Sequence, residues 1–238
     1  MALPKLDIPT YTLELPSTGE EIKYRPFLVK EQKTLMILQE GDDDKKNVYD
    51  ALTTIMKNCT FNNVSVDKMP IFDFEYVFLK IRCKSVGETA ELNVLCPDDD
   101  VTRVPVTINL DEIDVQVSDD HVNTIQVTDN ISMILRWPTI KDVSKLGDND
   151  MVKGTMELLD KCVTDIIDGD TIHKRGDFSK KELNEFIDSL PTETFEQIGK
   201  FFETMPKLLH VIRVKNPKTK VESEVTVEGI DNFFCFFF

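Results

Sequence analysis

Glycine is scarce in this chain, nine residues in 238. Phosphate cradles and nucleophile elbows need several at fixed spacing, and neither G-x-x-x-x-G-K-[ST] nor G-x-S-x-G occurs. Histidine is scarcer still: His121, His173 and His210 stand apart without metal-ligand spacing and read as surface or structural residues. The cysteines (Cys59, Cys83, Cys96, Cys162, Cys235) are odd in number and scattered. That does not suit a disulfide framework, and a reducing cytoplasm is the simpler setting. No apolar run approaches the roughly 20 residues of a spanning helix, and the first residues lack the apolar core of a secretory signal. Positive charge is also short, 28 basic against 43 acidic side chains, for a formal charge of -15. Such a chain repels phosphate backbones and anionic lipid, which argues against nucleic acid or a membrane surface as main ligand.

The apolar fraction, 41%, is that of an ordinary globular chain and allows a sizeable core. The length fits one large domain or two small ones. The expectation is one α+β domain over 1–238, subdivided if at all into 1–87, 88–138 and 139–238. Thr10 to Leu15 alternates like a half-buried strand, Pro16 to Gly19 is a turn cluster, and Glu20 to Phe27 is the returning strand. Leu28 to Glu40 is rich in helix formers. Val48, Leu52, Ile55, Met56 and Cys59 then form one apolar helical face. Pro70 opens a third helix with two apolar stripes, Phe72, Tyr76, Leu79, Cys83 and Phe74, Phe78, Ile81, as expected of a helix covered from both sides. Residues 28–84 thus read as a helical cluster around that segment.

From Glu88 the period shortens, and Glu88–Leu95, Val104–Ile108 and Ile131–Trp137 read as short antiparallel strands. After Pro138 helices return. Val152, Met156, Leu159, Val163 and Ile166 predict one helical face, and Ser179 to Glu182 a capping box with Phe178 and Leu183 as its staple. Pro191 ends that helix, and Phe195, Ile198, Phe202 and Met205 mark another, stopped by Pro206. Residues 208–215 and 221–228 predict a last hairpin. No internal repeat of fixed period is visible.

Metal chemistry finds little material. Cys83 and Cys96 flank a strand, but Asp98, Asp99 and Asp100 stand where a zinc knuckle needs its second cysteine, so two core thiols are the better reading. The runs Asp42-Asp43-Asp44, Asp98-Asp99-Asp100, Asp148-Asn149-Asp150 and Asp168-Gly169-Asp170 all lack the complete calcium loop with its twelfth-position Glu. No cofactor and no enzymatic activity are expected.

Arg25-Pro26-Phe27 ends a strand with a rigid kink that delivers Leu28 and Val29 onto the helical cluster. It reads as a strand-to-helix joint, with a direct contact through Arg25 and Phe27 as the alternative. Ser85-Val86-Gly87 reads as a helix C-cap with Gly87 free to take positive φ. The segments Tyr24 to Glu31 and Ile81 to Glu88, with Pro9-Thr10-Tyr11 and Leu135-Arg136-Trp137-Pro138-Thr139, resemble the baseplate hub subunit family of T-even-like contractile-tailed phages. The resemblance is strongest over residues 9–140. It implies a non-enzymatic protein that acts by assembly, in the host cytoplasm, with other baseplate hub proteins and the tape-measure protein as partners. Whether a member stays in the virion tail baseplate, or leaves as a transient chaperone of the tape-measure protein, does not follow from the motifs.

The chain ends in five phenylalanines around one cysteine: Phe233, Phe234, Cys235, Phe236, Phe237 and Phe238. Burying one Phe stabilises by roughly 1.5–3 kcal/mol relative to exposure. Docking on its own core, docking into a partner, and a membrane or degradation signal are the open readings. The partner reading makes these residues, with Arg25 and Phe27, the candidate contacts.

Overall fold

The computed structural model of the chain describes residues 6–40, 45–144 and 151–229. The chain opens with a hairpin, β1 (Tyr11–Glu14) and β2 (Glu21–Tyr24), paired antiparallel from Tyr11↔Tyr24 to Glu14↔Glu21. Three helices follow: α1 (Val29–Glu40), α2 (Lys45–Cys59) and α3 (Ile71–Val86). Strands β3 (Thr89–Leu95) and β4 (Arg103–Asn109) form a second hairpin, followed by the short strands β5 (Val115–Gln116) and β6 (Thr124–Gln126). Next come β7 (Ile131–Leu135), the one-turn α4 (Ile140–Val143), α5 (Met151–Cys162), β8 (Val163–Asp168) and β9 (Thr171–Lys174). The chain closes with α6 (Lys180–Asp188), α7 (Thr192–Thr204), and the hairpin of β10 (Lys207–Lys215) with β11 (Glu222–Glu228). This is a mixed α+β fold with small antiparallel sheets.

The residues group into two compact units, one of 1–116 with 207–238 and one of 117–206. The chain leaves the first unit after β5 and returns at β10. Those strands pair antiparallel, Lys207↔Gln116, so both crossing points sit side by side in one sheet ordered β11-β10-β5.

In the first unit α3 is central, as its two stripes predict. Phe72, Phe74, Phe78 and Ile81 are fully buried, and Leu79 and Cys83 pack with Val94, Ile108, Leu208 and Ile212 from three different strands. The helix opens at Pro70 and carries Asp73 in its first turn. Asp73 accepts bonds from the Ser17 N–H and hydroxyl, which pins the β1–β2 turn to the helix. The second unit is a four-stranded sheet ordered β6-β7-β8-β9. Its inner face, through Ile125, Met133 and Leu135, packs on Leu159, Leu183, Ile198 and Phe201 of α5, α6 and α7. The capping box at Ser179 is formed, and Phe178 and Leu183 share that core.

One helix expectation fails. The face through Val163 and Ile166 does not belong to a helix: α5 stops at Cys162 and Val163–Asp168 is β8. Val163, Thr164, Ile166 and Ile167 are β-branched and suit a pleated surface with neighbours on both sides, and β7 and β9 supply them. The register shift near Ile134 and Leu135 lets Val163 and Ile166, three apart, both serve the core. Asp168-Gly169-Asp170 turns β8 into β9, with Gly169 at φ 54°.

Gly87 caps α3 at φ 130°, ψ 161°, a region open only to glycine, and nothing lies within 4 Å of where a Cβ would stand. Gly87→Ala should therefore cost about 1–3 kcal/mol through backbone strain alone. Gly154, inside α5 and equally uncrowded, should respond to the same change with a gain of up to ~1 kcal/mol. Urea denaturation of both variants reads the opposite signs.

Candidate functional site

Arg25 stands where β2 ends, and the chain must turn sharply there to enter α1. Its side chain is buried, with Nη2 3.0 Å from Glu31 Oε1. The other Glu31 oxygen accepts from the Leu28 N–H at 3.0 Å, so one carboxylate neutralises the arginine and caps the first turn of α1. The Arg25 guanidinium also donates to the Pro26 carbonyl at 2.9 Å, and its backbone N–H donates to Cys59 O, at the end of α2, at 2.9 Å. Burial pushes the Glu31 carboxyl up, but the bonds from Arg25 and Leu28 outweigh it and hold it below the usual range. Phe27 is half-buried. Its N–H donates to Ser85 Oγ at 2.8 Å, and its ring sits 5.6 Å from that of Phe78. Arg25 and Phe27 thus hold β2, α1, α2 and α3 together.

The second unit contains the same device. Arg136 ends β7, donates to the next residue's carbonyl, Trp137 O, at 3.0 Å, and meets Asp142 Oδ2 at 2.8 Å, again six residues on. Asp142 accepts from the Thr139 N–H at 2.9 Å in a full capping box, and the Arg136 N–H donates to Cys162 O at 2.8 Å, the end of α5. Burial raises the Asp142 carboxyl, and the bonds from Arg136 and Thr139 bring it below the ordinary range. In both units a cysteine closes the second helix, and burial pushes the thiols of Cys59 and Cys162 up to about 12. The two copies differ in exposure, 7% for the Arg25 side chain and 39% for that of Arg136.

His121 belongs to a polar chain that the sequence did not disclose. Trp137 Nε1–H can only donate, so His121 Nε2, 2.9 Å away, accepts. The hydrogen must then sit on Nδ1, which donates to Thr204 Oγ1 at 3.1 Å, and that hydroxyl donates to Lys200 O at 2.7 Å. The ring packs 5.0 Å from that of Phe201, and burial holds the imidazole below its ordinary value.

The other candidates occupy structural places. Cys83 and Cys96 are both buried, and burial pushes the Cys83 thiol up to about 11. Asp98 accepts from Asn216 Nδ2 and Asp99 from Thr102, tying the β3–β4 turn to the last hairpin. Among the described residues no three His, Cys, Asp or Glu side chains converge as a metal site, and no helix is long and apolar enough to cross a membrane. Asp42 to Asp44, Asp148 to Asp150, and the terminal Phe233, Phe234, Phe236, Phe237 and Phe238 lie outside the described residues. On the outer side of α1, Val29, Met36 and Ile37 are exposed, an apolar face the sequence reading did not single out.

A family model described as T4 bacteriophage base plate protein matches residues 8–235. The chain belongs to that family. No curated protein and no solved structure matches it. The match spans both units of this baseplate protein and both arginine joints.

Two expectations follow. Arg25→Met leaves the buried Glu31 with only the exposed Lys30 ammonium, 3.3 Å away, as counter-charge and should cost up to about 3–5 kcal/mol, whereas Arg136→Met, at the more exposed copy, should cost about 1 kcal/mol. The double change Arg25→Met with Glu31→Leu should recover much of the first loss in urea denaturation. The second concerns pH. Because the fold holds His121 neutral below its ordinary 6.5, the unfolded chain takes up the proton first, and stability falls as pH drops from about 6.5 toward the folded value. Trp137 is the only tryptophan, so its fluorescence reports the transition. His121→Gln should flatten the dependence between pH 7 and 5 that the parent chain shows.

Proposed function

We propose that this baseplate protein is a structural or assembly component of the tail hub that works by binding other proteins and catalyses nothing itself. The observation that carries the reading is the family match over residues 8–235. Other hub subunits and the tape-measure protein are its partners in this reading, and the virion tail is its place of action. The chemistry of the chain supports it. The four described cysteines are buried as thiols, and the carboxylates of the two joints serve as caps and counter-ions. Among the exposed residues of the described surface are apolar ones, Val29, Met36 and Ile37 on α1 and Ile172 on β9. Exposed apolar clusters on an acidic chain suit docking, with charge acting on encounter and specificity.

The test is the particle itself. Quantitative mass spectrometry of purified virions and isolated baseplates should find the chain in a fixed ratio to the other baseplate proteins. Co-expression with candidate hub proteins should give a complex that survives size exclusion. Absence from particles, combined with a stable complex with a tape-measure fragment, would overturn the reading in favour of a transient chaperone.

A further inference from the structure

The second unit carries an apolar groove of about 270 Å³ between the sheet and α6. Its floor is a strip of the sheet's inner face. Met133↔Ile166 and Ile166↔His173 are cross-strand partners, as are Ile131↔Asp168, so Ile131, Ile166 and His173 stand on the side that carries the core. Leu183 and Phe186 of α6 form one wall and Phe178, before the helix, closes an end. Met133 and Leu183 are fully buried, whereas Ile131, Ile166, Phe178 and Phe186 are only half covered. The core continues here to the surface.

The groove's edge is acidic. Asp168 and Glu182 line it, and among the described residues neither is paired with a lysine or arginine. Glu182 is fixed in place by the Ser179 N–H at 2.7 Å, which holds its carboxyl low and therefore charged. Three cations between the end of β9 and the first turn of α6 are already engaged, and Lys174 at the end of β9 stands on the opposite face of the strand from His173. Arg175, 5.3 Å above the Phe178 ring, bonds Asp160 at 3.1 Å, Lys180 reaches the same carboxylate at 3.4 Å, and Lys181 pairs with Glu185. His173 is the other polar residue at the edge.

We propose that this groove docks a partner protein through one aromatic or branched apolar side chain with a lysine or arginine beside it. The apolar side chain fills the space between Ile131, Ile166 and Phe186, and the cation meets Asp168 and Glu182. A second copy of this chain, at a formal charge of -15, brings mostly the wrong charge. The chain's own aromatic end fits no better, since residues 221–238 contain no lysine or arginine. The proposal extends the assembly reading by giving one docking surface its chemistry.

Methyl NMR of the full chain with labelled isoleucines tests it. The probe is a five-residue peptide with one phenylalanine between two lysines and glycine ends, and its twin carries two glutamates instead. The Ile131 and Ile166 methyl signals should shift saturably with the lysine peptide and ~5-fold more weakly with its twin at low salt. Asp168→Asn with Glu182→Gln should erase that difference while leaving the fold intact, because Gln still accepts the capping bond. Equal affinity for the two peptides would overturn the proposal, as would shifts confined to residues outside the groove or none at tens of millimolar peptide. The outcome is independent of whether the chain is found in virions, so failure here and failure of the hub reading are separable.

Discussion

A buried arginine facing a buried carboxylate is the constraint on which the first unit is built. Taking Arg25 and Glu31 out of water costs several kcal/mol per ion, and attraction between them offsets this only when the remaining donors and acceptors are also met. Here the guanidinium spans Glu31 and the Pro26 carbonyl, while Glu31 also accepts the Leu28 N–H. These bonds form only if β2 ends, α1 starts and α2 stops at one point. A lysine could not replace the arginine, because a single ammonium lacks the planar fork that reaches two acceptors in fixed directions. The pair therefore acts as a register device, and Phe27, bonded to Ser85 and packed on Phe78, extends that register to α3.

The device recurs at Arg136 and Asp142 with the same six-residue spacing, the same bond to the next carbonyl and the same cysteine carbonyl receiving the arginine N–H. The differences are informative. At the first joint proline follows the arginine directly and the cap is a backbone N–H alone. At the second, proline comes one residue later and Thr139 adds its hydroxyl. The common requirement is thus a strand-ending arginine, a carboxylate in the first helical turn and a helix end beside it. The intervening residues are free to vary, which is why no sequence period betrays the recurrence.

How much could be read from the sequence follows from the range of the interactions. The helices α1, α2, α3, α6 and α7 depend on local period, caps and proline stops, and all were legible. So was the Arg25-Pro26-Phe27 joint, since a proline kink is local. The strand β8 was not, because Val163 and Ile166 are spaced as in a helix, and only pairing with β7 and β9 decides for a strand. The short strands β5 and β6 carry too few residues to show alternation. The bond from Arg25 N–H to Cys59 O crosses 34 positions, and the His121–Trp137–Thr204 chain joins residues whose neighbourhood exists only in the fold. The groove was hidden for the same reason. Its lining comes from three strands, a helix and a residue just before it, and each apolar member alone looks like ordinary core while each acidic one looks like ordinary surface.

The placement of charge and apolar surface inverts what a composition count suggests. A chain with 43 acidic side chains could put every one in water, yet Glu31, Asp73 and Asp142 are buried and bonded where elements meet. Conversely, Val29, Met36, Ile37 and Ile172 are exposed although the cores could have used them. Ions used internally set register, because each demands a specific partner at a specific point. Apolar residues left outside bring no such demand. They contribute stability only when another surface covers them. For a protein of the baseplate family that division has a physical logic. The joints fix the register of the elements within each unit, and the apolar side chains left uncovered on α1 and β9 are the part of the surface that the proposed docking role puts to use.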